Sequence, residues 1–222
     1  MAKRIGVVLS GCGVMDGSEI HEAVLTLLHI CNAGAQAVCM APNVEQVHVI
    51  NHLKGEPAAG ERRNVLVESA RIARGHILDI ATVKAADLDA LILPGGYGAA
   101  KNLCDYATAG PALKVHAEVA RLIKEMRAAN KPLGAICIAP VLMAAVAGKD
   151  LGLKPSLTIG TDVATADHIR QLGADHVNCP VKEFVVDKRN KIVTTPAYML
   201  GQNIGEVSAG IEKLVRAVVD MA

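Results

Sequence analysis

The residue whose setting argues most directly for chemistry is Cys137, in Gly134-Ala135-Ile136-Cys137-Ile138-Ala139-Pro140. A buried strand that turns sharply into a helix through small residues holds the intervening side chain out at the helix N-terminus, the geometry of a nucleophile elbow. A thiol there sits at the positive end of the helix dipole, which is expected to lower its pKa and favour the thiolate. The other five of the six cysteines have no such setting and read as small buried apolar side chains.

Two further loops follow apolar runs. Leu93-Pro94-Gly95-Gly96-Tyr97-Gly98 is a turn in which glycines let backbone N–H groups point into a site, where a pair of them can hold a developing oxyanion. After Leu9 comes a glycine-rich loop (Gly11, Gly13, Gly17) and then Glu19 and Glu22, three apart and so on adjacent parts of one helix surface. One of them is placed to act as acid or base; the plainer reading is that Glu19 favours the helix start and Glu22 is solvated.

Other chemistries find less support. Gly11-x-Gly13-x-x-x-Gly17 has the wrong spacing for a dinucleotide loop, and the following strand ends in Met40-Ala41-Pro42-Asn43 with no acid to hold a ribose. His168, His176 and Cys179 lack a fourth ligand at a metal-site spacing, and no phosphate-binding G-x-x-x-x-G-K-[ST] occurs. No metal or other cofactor is therefore expected. A net charge of +1 supplies no field for nucleic acid or anionic lipid, and 2% aromatics supply no stacking platform. The longest apolar stretch, Leu133 to Ala147, contains a proline and falls short of the ~18 residues of a membrane span. Leu9-Ser10-Gly11-Cys12 imitates a lipoprotein cleavage box, but Ile5–Leu9 is shorter than the ~7 residues an export signal needs and reads as a first strand. With no C-x-x-C and scattered cysteines, reduced thiols in the cytoplasm are expected.

The elements that must position these loops alternate between apolar runs and amphipathic segments, the pattern of parallel strands with crossover helices. Strands are expected at Ile5–Leu9, Gln36–Ala41, Ile77–Val83, Leu88–Leu93, Leu133–Ile136, Glu183–Val186 and Ile192–Thr194, with shorter ones near Val47–Ile50, Leu157–Ile159 and Val177. Helices are expected over Glu19–Asn32 capped by Ser18, Arg62–Arg74, Ala112–Ala129, from Pro140, and over Leu200–Met221. Residues 42–78 read as an excursion at a sheet edge. The fold class is a single-domain three-layer α/β/α sandwich over residues 1–222, with its ligands at the carboxyl ends of the strands.

Leu93-Pro94-Gly95-Gly96, Gly134-Ala135-Ile136-Cys137 and Glu22 together resemble the PfpI/ThiJ superfamily of glutamine-amidotransferase-like domains. The Ser10–Glu22 loop, Thr158-Ile159-Gly160-Thr161 and Thr194-Thr195-Pro196-Ala197-Tyr198-Met199 look like its ElbB subgroup, named for isoprenoid (lycopene) biosynthesis, across essentially the whole chain. The resemblance implies a flavodoxin-like fold and a glutathione-independent glyoxalase acting on a small dicarbonyl, with a homodimer as the expected assembly. It assigns Cys137 as nucleophile, Glu22 as its partner, and Gly96 and Ile138 as backbone oxyanion donors. Glu19, closer to the helix start, is expected to help place the substrate. Many members carry a histidine about twenty residues after the cysteine, where this chain has Thr158-Ile159-Gly160-Thr161. Two readings follow: an enzyme in which Cys137 attacks an aldehyde and Glu22 shuttles a proton, or a non-enzymatic sensor read through the oxidation of Cys137.

Overall fold

The computed structural model describes residues 2–222. In chain order the first half comprises β1 (Arg4–Val8), α1 (Ile20–Asn32), β2 (Gln36–Ala41), β3 (Ile50–Asn51), β4 (Glu56–Pro57), α2 (Val65–Ile72), β5 (Ile77–Asp79), β6 (Ala90–Leu93), α3 (Tyr97–Lys101) and α4 (Tyr106–Ala109). Then come α5 (Ala117–Ala128), β7 (Leu133–Ile136), α6 (Pro140–Met143), β8 (Ser156–Leu157), α7 (Val163–Gln171), β9 (Asp175–His176), β10 (Val185–Asp187), β11 (Ile192–Thr195) and α8 (Ile204–Met221). Seven strands form one sheet in the order β10-β11-β7-β6-β1-β2-β5, parallel except for the β10–β11 hairpin. β3 pairs with β4, and β8 with β9, outside it.

The strands at the centre are apolar throughout because both faces are covered. β6 and β7 are buried at every position. One face packs Ala23 and Ile30 of α1 against Ile211, Leu214 and Val218 of α8. The other packs Leu122 and Met126 of α5 with Leu142 of α6 and Ile169 of α7. This is the expected mostly parallel three-layer sandwich, and its interior is almost entirely aliphatic.

Local chemistry moves several boundaries. Ser18 does not cap α1: its Oγ accepts the Ser10 N–H (2.8 Å) inside the loop, and Glu19 is the N-cap, accepting the Glu22 N–H at 2.7 Å. The run expected as a strand over Ile77–Val83 stops at Asp79, whose carboxylate accepts the Ala81 N–H and folds Ile80–Thr82 into a 3-10 turn. α5 starts at Ala117, after the His116 ring accepts the Glu118 N–H, because Pro111 lies in a separate 3-10 turn over Gly110–Ala112. α2 begins only at the Asn64 cap, and α8 begins after Asn203, whose side chain accepts the Glu206 N–H. Residues near Val47 form no strand; the edge excursion pairs β3 with β4 instead. Among the described residues no helix is long and apolar enough to cross a membrane.

Candidate active site

The loops after β1, β6 and β7 meet at the carboxyl edge of the sheet, where Cys137 follows directly on β7. Its φ is +61°, a left-handed conformation that costs a non-glycine residue on the order of 1–3 kcal/mol and persists only where the surroundings enforce it. Here the surroundings are β11 and the turn beyond: the Cys137 N–H donates to the Thr195 carbonyl (3.0 Å), and the Ala139 N–H donates to the Ile136 carbonyl (3.0 Å). Pro140 then begins α6 at a position where no N–H is required. The elbow expected from the sequence is present.

The glycine turn after β6 is fitted to it. A Cβ on Gly95 would lie 2.5 Å from the Cys137 Cβ and 2.6 Å from the Glu22 Oε2, so only glycine allows the three chains to approach this closely. The Tyr97 and Gly98 N–H groups are spent on the carbonyls of Val14 and Gly17 (2.8 Å each). That leaves the Gly95 N–H to bind Glu22 Oε2 (2.9 Å) and the Gly96 N–H to point at the sulfur of Cys137, joined by the N–H of Ile138. Gly96 itself has φ +93° and sits against the Glu19 backbone.

Glu22 has no exposed surface. Its carboxyl accepts the Gly95 N–H and, through Oε1, the Tyr198 N–H (3.2 Å), and it is hydrogen-bonded to the Cys137 thiol. It is not the solvated residue of the plainer reading. Burial, with the Glu19 carboxylate adding to it, pushes Glu22 up to about 8. Burial and then the charge of Glu22 likewise push the Cys137 thiol above its ordinary range, although the Gly96 and Ile138 amides pull the other way. This corrects the expectation of a thiol lowered by the helix dipole. In a dry site with a carboxylate against the sulfur, two negative charges cannot coexist, and the pair keeps a shared proton.

Cys137, Glu19, Gly96 and Ile138 line one pocket of about 390 Å³. Besides Tyr97 of the glycine turn, the remaining polar walls are Asp162 and Thr165 at the start of α7 and Tyr198 beyond β11, none of which spacing in the sequence singled out. A signal for Tyr198 exists in its turn, since Ala197 also has a positive φ (+42°) without being glycine. No histidine lines the pocket. Thr158, in the stretch where a histidine was sought, is buried and donates its N–H to Thr194 Oγ1 (2.9 Å). His168, His176 and Cys179 do not converge: His168 bonds Tyr106, His176 bonds the Ile159 amide, and Cys179 bonds the Pro180 carbonyl. Among the described residues no three His, Cys, Asp or Glu side chains are grouped to hold a metal. All six cysteines are free, and Cys31 is exposed and Cys12 partly so, against the expectation that they are buried.

The family model described as DJ-1/PfpI matches residues 14–198. The chain belongs to the DJ-1/PfpI family. The family includes enzymes, among them proteases and glyoxalases. The human glutamine amidotransferase-like class 1 domain-containing protein 3, mitochondrial, is 48% identical over 99% of this chain and 84% of its own length. The rat ES1 protein homolog, mitochondrial, is 47% identical over 98% of this chain and 84% of its own length. A crystal structure of an isoprenoid biosynthesis protein with amidotransferase-like domain from Ehrlichia chaffeensis superposes with a TM-score of 0.92, at 40% identity over 99% of both chains. The flavodoxin-like sandwich is thus the family's fold, held across the whole chain.

Proposed function

We propose that this DJ-1/PfpI chain, in the ElbB subgroup, is a glutathione-independent glyoxalase that converts glyoxal or methylglyoxal to the corresponding hydroxy acid. The observation that carries the reading is the convergence on one sulfur of a buried carboxyl group and two backbone N–H donors, with that sulfur opening into a pocket. The Cys137 sulfur bonds to the aldehyde carbon, and the S–H proton passes through Glu22 to the new hydroxyl of the hemithioacetal. The Gly96 and Ile138 amides hold the oxygen as charge develops on it. The carbon now bonded to sulfur lies within reach of the carboxyl already in contact with that sulfur. Glu22 removes its hydrogen and returns a proton to the adjacent carbon, while the hemithioacetal hydroxyl proton moves to the neighbouring carbonyl oxygen, leaving a hydroxyacyl thioester. Water releases the hydroxy acid and restores the thiol. Glu19, capping α1 with one oxygen and lining the pocket, contributes to substrate placement.

The test is formation of glycolate from glyoxal by the purified chain without glutathione, followed by proton NMR. Sustained glycolate formation is expected. Its absence, with Cys137 instead taken to a sulfinate by dilute peroxide, would favour the sensor reading. The name of the Ehrlichia protein supports a link to isoprenoid synthesis, at 40% identity. For the assembly we propose a homodimer in the cytoplasm. The exposed Ile20, Val24 and Leu28 of α1, an uncharged stripe at helical spacing, support the dimer, and light scattering tests it.

A further inference from the structure

Thioester hydrolysis needs a base on the open side of the sulfur, and Glu22 is on the closed side. It has no exposed surface, and its two oxygens are taken by the Gly95 and Tyr198 amides on the protein side of Cys137. The attacking water must enter from the pocket. Of the ionisable groups on the pocket wall, Glu19 caps α1 with one oxygen and is already assigned to substrate placement, and Asp162 caps α7 by accepting from Thr165 (2.8 Å). The Tyr97 ring lies under the Lys101 ammonium (5.2 Å) and is largely exposed. Tyr198 remains. Its hydroxyl is 2.7 Å from the Nδ1 of His21, on α1 one residue before Glu22, and the rings pack at 5.8 Å.

Building on the glyoxalase reading, we infer that Tyr198 and His21 form the acid–base couple that hydrolyses the Cys137 thioester. The backbone presents Tyr198 for this task. Thr195 anchors the elbow, Ala197 takes its strained φ, and the Tyr198 N–H is fixed on Glu22 while the ring turns to the pocket. With Nε2 protonated, His21 Nδ1 accepts from the phenol. As water attacks, its oxygen bonds to the acyl carbon and one of its protons goes to the phenol oxygen, while the phenol's own proton goes to Nδ1. The C–S bond breaks with its electron pair on sulfur. Sulfur takes the acid proton of the new carboxyl group, and the imidazolium, exposed on α1, releases its proton to solvent. Two proton carriers thus serve opposite sides of one sulfur: Glu22 for isomerisation, Tyr198 with His21 for release. Tyr198 meets the reacting water and is a catalytic residue. His21 acts through it and is a positioning residue.

Glyoxal turnover of wild type, Tyr198→Phe, His21→Gln and Glu22→Gln, with hydroxylamine trapping and mass mapping of Cys137, tests the couple. Tyr198→Phe is expected to lower steady-state glycolate formation roughly 10²-fold and to accumulate a hydroxylamine-sensitive thioester on Cys137. His21→Gln, which keeps a hydrogen-bonding side chain but cannot take the proton, should accumulate the same thioester with a smaller loss of rate. Glu22→Gln should slow glycolate formation by about 10² to 10⁴ and store no thioester. A Tyr198→Phe chain that turns over within threefold of wild type, or slows without storing thioester while its melting temperature is unchanged, overturns the couple and leaves the glyoxalase reading standing. Wild type that forms neither glycolate nor thioester overturns the glyoxalase reading, and the couple with it.

Discussion

Cys12 and Cys137 both stand just beyond strands of the same parallel sheet, Cys12 in the glycine loop after β1 and Cys137 at the elbow after β7. Each follows a buried apolar strand in a stretch rich in small residues, Cys12 between Gly11 and Gly13 and Cys137 between Ile136 and Ile138. What differs is where the backbone N–H groups go. Around Cys12 the loop consumes its own donors: Gly11 N–H binds Ser69 Oγ (2.8 Å), Gly13 N–H binds the Ser18 carbonyl (3.0 Å), and Ser18 N–H binds the Gly11 carbonyl (3.3 Å). The Asn102 amide closes the loop on the carbonyls of Ser10 and Asp16. Burial and the Glu68 carboxylate push the Cys12 thiol up with no amide to oppose them. At Cys137 the positive φ turns the side chain to the converging loops, and two amides are left over to face it. Composition alone therefore does not mark a cysteine as a nucleophile; in the proposed reading, unspent donors around the sulfur single out Cys137.

The comparison breaks most visibly at Glu22. Glu22→Gln keeps shape and hydrogen bonding but cannot accept a proton, so kcat for glyoxal should fall by about 10² to 10⁴, read by glycolate formation. Its counterpart beside Cys12, Glu68→Gln, should leave kcat within a few-fold of wild type. Equal losses would mean that contact with the nucleophile carries no special weight.

A smaller effect should appear in stability. The folded-state pKa of Glu22, about 8, lies above its ordinary 4.5, so the folded protein holds a proton that the unfolded chain has lost. That contribution is fully present below pH 4.5 and is lost as pH rises through 8. Between pH 5 and pH 8 the wild type should lose on the order of 3 kcal/mol that Glu22→Gln keeps, measured as the difference in urea unfolding free energy. Parallel pH profiles for the two proteins would contradict a protonated, buried Glu22.

Smallest are the glycine substitutions. Gly95→Ala drives a methyl group into the Cys137 Cβ and Glu22, and should cost about 1–3 kcal/mol of stability and turnover as well. Gly11→Ala meets Gln46 Oε1 and the Gly17 backbone at 3.0 Å with φ +110°, and should cost stability of the same order with kcat of the folded fraction preserved. Thermal melts beside turnover rates separate the two.

Much of this frame was legible from the residues. β2 and β7 fall where their apolar runs lie, and the Gly134–Pro140 pattern marks the elbow because sterics at a strand-to-helix turn act locally. The shortened β5 and the late start of α5 were not legible, since one carboxylate at Asp79 and one imidazole at His116 redirect the backbone there. The residues alone could propose Glu22 from its helix, and the family resemblance set it beside Cys137; the close approach itself depends on Gly95 bringing two loops together. The direction of the thiol pKa was misjudged because a dipole is visible in sequence order and desolvation is not. Tyr198 and His21 lie 177 positions apart and meet only through the packing of α1 beside the β11 turn.

The most direct measurement is glycolate formation from glyoxal by Cys137→Ala and Cys12→Ala, purified and assayed side by side with the wild type. Cys137→Ala should be inactive, and Cys12→Ala should turn over within twofold of wild type. Retained turnover in Cys137→Ala, or its loss in a folded Cys12→Ala, would contradict the assignment of the nucleophile to the elbow.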